Sequence, residues 1–67
     1  MVAEIEILAM AKILINRFGL YARVAAAERA DRAFELNDEA EESVWLRVMR
    51  AIAAIEEPRA STRGTLH

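Results

Sequence analysis

From Leu20 to Glu57 the chain contains neither glycine nor proline. Breakers occur only at Gly19, Pro58 and Gly64. A stretch that long without a breaker has to turn on weaker signals, and the composition around it favours helix. Alanine, the strongest helix former, supplies 14 of the 67 residues. No segment alternates apolar and polar residues between turn signals, so strands are not expected. The expected fold class is all-α: a small three-helix domain over residues 1–57, a helical hairpin plus an N-terminal helix, oligomeric or partner-bound. A disordered tail is expected over 58–67.

The first helix is predicted over about 3–18. Gly19 is placed to cap its C-terminus in the left-handed conformation, and Arg17 suits the negative end of the helix dipole. At about 100° per residue, Ile7, Met10, Ala11, Leu14, Ile15 and Phe18 share one broad stripe. Val2, Ile5, Ala9 and Ile13 form a second stripe, roughly opposite the first. A helix that is apolar on two sides has to be covered on two sides.

The second helix is predicted over about 20–36, with Leu20, Val24 and Phe34 as its larger apolar anchors. Its alanines at 26, 30 and 33 form an edge that lets a neighbour approach closely. Glu28 and Arg32 stand at i,i+4 spacing, which suits a local ion pair. Asn37 can then take a left-handed C-cap, and Asp38 can cap the third helix with Glu41 as its reciprocal partner. Glu39 and Glu42 add negative charge to that first turn.

The third helix is predicted over about 39–56, stopped before Pro58. Val44, Trp45, Val48, Met49, Ile52 and Ile55 follow i, i+3/i+4 spacing, with Trp45 expected at the centre of the core. Ser43, Arg47 and Arg50 lie on the other side.

Size sharpens the question of partners. A chain of this length buries only about 60% of the surface its unfolded form exposes, and small folds add disulfides, metals or partner chains. With no cysteine, disulfides and thiolate sites are excluded. His67 is the single histidine, and no catalytic, metal or cofactor site is expected. Asp38, Glu39, Glu41 and Glu42 lack calcium-loop spacing and are fully explained by capping. Ser43, Ser61, Thr62 and Thr65 have no base nearby and there is no Gly-rich phosphate loop. The chain is not expected to be an enzyme.

The net charge of −2 argues against general nucleic-acid binding, which rests on neutralising phosphates. A small helix-turn-helix-like DNA-binding regulator using the third helix is the alternative reading, with Arg23, Arg29, Arg32, Arg47 and Arg50 as contacts. The acidic start of that helix opposes it. Ile7 to Ile15 is too short an apolar run to span a bilayer, and the acidic start is unlike a signal peptide. The expected location is cytoplasmic.

The leading expectation is therefore a non-enzymatic protein–protein interaction module: a small accessory subunit, adaptor or inhibitor. Its interface would be Val2, Ile5, Ala9 and Ile13, rimmed by Arg17 and Arg47, burying a partner protein or a second copy.

One pattern suggests a resemblance. Phe18-Gly19 is followed by Ala25-Ala26-Ala27-Glu28-Arg29-Ala30-Asp31. After the Asn37-Asp38 break come Trp45-Leu46-Arg47-Val48 and Ala51-Ile52. Over roughly residues 7–55 this resembles a group of short uncharacterised all-helical proteins of alphaproteobacteria. The resemblance implies three helices and a bacterial cytoplasmic origin. It carries no activity to any residue, and from Pro58 onward the pattern does not match.

Overall fold

The computed structural model describes residues 3–65, with side chains described for 3–56. Among the described residues the secondary structure is entirely helical. Helix α1 spans Glu4–Phe18, a single 3-10 turn spans Gly19–Tyr21, α2 spans Ala22–Glu35 and α3 spans Glu39–Thr65.

The α3 bound lies past the stop expected at residue 56. A proline removes one backbone donor and biases the residue before it, which disfavours helix without forbidding it. The expected disordered tail, 58–67, lies outside the residues with described side chains.

The two junctions follow from their local chemistry. At the end of α1, the Gly19 N–H donates to the Ile15 carbonyl. Gly19 has φ 55° and ψ −120°, outside the left-handed helical well that the sequence suggested. A residue with a Cβ rarely adopts that conformation, so glycine is needed for its backbone and not for space.

At the end of α2, Asn37 takes φ 59°. Its N–H donates to the Phe34 carbonyl at 3.0 Å, and the Asp38 N–H donates to the Ala33 carbonyl at 2.9 Å. These two bonds define a Schellman motif. Asp38 then opens α3, its Oδ1 accepting from the Glu41 N–H at 3.1 Å.

The expected reciprocal half of that capping box does not form, and the reason is visible. The Asp38 N–H is already spent on Ala33, so the Glu41 carboxylate is free to accept from Trp45 Nε1 at 2.8 Å.

The core sits where the three helices meet. Helix α1 contributes Ile7, Ala11 and Leu14, and α3 contributes Val48 and Ile52. Helix α2 contributes Ala22 and Ala26, and Ala25, Ala30 and Ala33 are buried with them. The α2–α3 contact is the most extensive, with α1 laid across both.

Every buried residue of α2 is alanine. Close approach through that face turns the larger residues outward, since Val24 lies about 200° round the helix from Ala22. The expected anchors of α2 are therefore corrected: Leu20 is 94% exposed, Phe34 67%, and Val24 is exposed as well. Trp45 is corrected too. Val48 and Ile52 hold the centre of α3's packed face, while Trp45 is only half-buried at its edge and Ile55 is exposed.

Candidate interaction surfaces

The outer side of α1 carries the residues that the sequence nominated. Ile5 is 75% exposed and Ile13 56%, with Leu8 and Ala9 exposed beside them. They lie opposite the buried line Ile7, Ala11 and Leu14, as helical geometry requires of residues two positions out of step. Val2, the fourth nominated residue, lies outside the described residues. Lys12 is exposed on the same side.

The two arginines expected at the rim behave differently. Arg17 is exposed and makes no ion pair among the described residues. Arg47 is half-buried and donates from Nη2 to Glu4 Oε1 at 3.0 Å. It ties α3 to the first turn of α1, a brace worth about 0.2–1 kcal/mol for a solvated pair. The local Glu28–Arg32 pair does not form. The other ion pair among the described residues joins α2 to α3, from Arg23 Nε to Glu56 Oε1 at 3.8 Å.

A second surface was not legible as one. Beyond the end of α1, the α2–α3 hairpin leaves an open groove of about 540 Å³. Phe18 and Trp45 stand at the head of the groove, and Leu36, 72% exposed, stands near its foot. The α2 wall carries Arg29 and Arg32, with Glu28 along the same wall. The α3 wall carries Asp38 and Glu41.

Trp45 is pinned between the walls. Its ring lies under the Arg29 guanidinium, 5.2 Å from the centroid, while its Nε1–H points to Glu41. A cation over an indole face is attractive by about 0.5–1 kcal/mol at an exposed site. A smaller hollow of about 220 Å³ shares Phe18, Arg29 and Trp45 and reaches Ile13 and Arg17. The groove thus runs into the edge of the apolar face of α1.

The signal that could have revealed the groove is the alanine bias of α2. A face of alanines is too shallow to enclose an indole, so Trp45 has to lie at an edge.

No group of three or more His, Cys, Asp or Glu converges among the described residues. Nor is any buried polar side-chain atom left without a hydrogen-bond partner there. Among the described residues no helix is long and apolar enough to cross a membrane. No family model matches the chain, and no curated protein or solved structure matches it.

Proposed function

We propose that the chain is a non-enzymatic protein–protein interaction module, a three-helix domain that acts by burying the outer face of α1. The observation that carries this reading is the joint exposure of Ile5 and Ile13 on one side of a helix whose other side is core. Fully burying one such side chain stabilises a complex by about 1.5–3 kcal/mol, so the face as a whole is a strong driving force for association. Arg17 is the exposed cation at its C-terminal end, and Arg47 acts from behind by holding Glu4 and the start of α1.

The role is that of a small accessory subunit, adaptor or inhibitor that occludes or bridges surfaces. The resemblance to short alphaproteobacterial proteins supports a bacterial cytoplasmic setting.

The test compares affinity purification of the wild-type chain and the Ile5→Glu/Ile13→Glu variant from the native host. A specific co-purifying protein is expected with the first and absent with the second, while circular dichroism shows unchanged helicity. Identical recovery with both would overturn the reading. Retardation of duplex DNA at low salt would favour a DNA-binding regulator instead.

A further inference from the structure

The outer face of α1 reads alike in both directions from its midpoint, and this property selects an occupant. Ala9 stands at the centre of the exposed side, opposite the buried line Ile7, Ala11 and Leu14. Ile5 lies four residues before it and Ile13 four residues after, and both are exposed. The charged flanks are ordered as well. Viewed down the helix, Glu6 and Arg17 lie about 60° and about 80° to one side of Ala9, and Lys12 lies about 60° to the other. All three are exposed, and none makes an ion pair among the described residues.

We propose that this face binds a second copy of the chain, α1 against α1 and antiparallel, about a two-fold axis level with Ala9. The axis lies in the plane of the contact and crosses both helices at right angles. The proposal rests on the reading of the α1 face given above and names its partner. Antiparallel pairing sets Ile5 of each copy level with Ile13 of the other, and the small Ala9 side chains between them let the backbones approach. It also lays each flank on its own counterpart, so Glu6 of each copy shares an edge with Arg17 of the other. Their offset is five residues, about 7.5 Å along the helix. Side chains lean toward the N-terminus of their own helix, which in an antiparallel pair tilts Glu6 and Arg17 toward each other. The two Lys12 side chains meet on the other edge, one like-charge contact against two opposite-charge ones. A parallel pairing would instead set Lys12 of each copy nearer to Arg17 than to Glu6 of the other. In each copy the hairpin packs on the far side of α1, so it does not stand between the two faces. The contact is self-complementary, as an isologous interface requires.

One helix from each copy is a smaller contact than a standard interface, so the dimer is weak and charge reversal acts on it directly. Sedimentation equilibrium of the full chain should show a dimer at about 100 μM, weakening as salt is raised. Glu6→Arg and Arg17→Glu should each weaken it about tenfold, since each creates two like-charge contacts. The double variant should recover dimerisation to near the wild-type level. Lys12→Gln should tighten the dimer, because it removes the one repulsive contact. The chain has no cysteine, so single cysteines report the direction of pairing. On oxidation Ala9→Cys should give a disulfide-linked dimer and Ile5→Cys should not, the two copies of position 5 standing about 12 Å apart along the helices. Circular dichroism should show unchanged helicity in all of these variants, because every substituted position is exposed.

A wild-type chain that stays monomeric at that concentration overturns the proposal. So does a double variant no better than the singles, or an Ile5→Cys chain that cross-links as readily as Ala9→Cys. A dimer that survives Ile5→Glu/Ile13→Glu uses another surface and overturns it too. If the chain is monomeric while a different host protein co-purifies and is lost with Ile5→Glu/Ile13→Glu, this inference falls and the reading of the α1 face stands. If neither association is found, both fall.

Discussion

The two halves of the α2–α3 pair are held together by different means. In the half that α1 covers, large side chains interlock: Ile7 and Leu14 pack on Val48 and Ile52. In the half beyond α1, the helices meet over Ala30 and Ala33, and the turn between them is stitched by the Schellman bonds and the Asp38 cap. The first half is held by volume removed from water. The second is held by proximity and by satisfied backbone ends. Substitutions should therefore act differently in the two halves, and they separate the mechanisms in order of size.

Ile52→Ala should have the largest effect. It opens a cavity among residues that leave no solvent access, at a cost of about 2–5 kcal/mol. For a domain this small that is much of the total stability, so urea unfolding should show loss of a cooperative transition near room temperature. A mild shift would mean that the covered half is loosely packed.

Ala33→Leu tests the other half by the opposite route. A larger side chain between closely approaching helices should destabilise by about 1–3 kcal/mol. A stabilised variant would show that the hairpin has room, and that close approach is not what holds it.

Asp38→Ala should cost about 1 kcal/mol, the usual price of a lost N-cap. Its effect on thermal unfolding should largely persist across salt concentrations, because the bond is to a backbone N–H and not to a distant charge.

The same contrast explains what could be read in advance. The helix breaks at Gly19 and at Asn37–Asp38 were legible because each rests on local backbone chemistry within a few residues. The buried line of α1 and the alanine edge of α2 were legible because a helix repeats every 3.6 residues. The outward face of α1 followed from the same period, and Ile5, Ala9 and Ile13 are where it put them.

What escaped was a choice between faces. Helix α2 has an alanine side and a side with Val24 and Phe34, and the periodicity is equally consistent with burying either. Only the mutual approach of α2 and α3 decides for alanine, and that is a property of the pair. In α3 the apolar stripe is wider than its neighbours cover. Trp45 and Ile55, each three residues from a fully buried position, fall at its two edges. The groove escaped for the same reason, since its walls come from two helices whose register was not yet known.

The position of Trp45 has an optical consequence. It is the single tryptophan of the chain, and it stands at the rim of the groove, overlain by a guanidinium and hydrogen-bonded to a carboxylate. Its emission therefore responds to what enters the groove as well as to loss of the core it packs against, so a fluorescence change without loss of helicity in this protein marks an event at the groove.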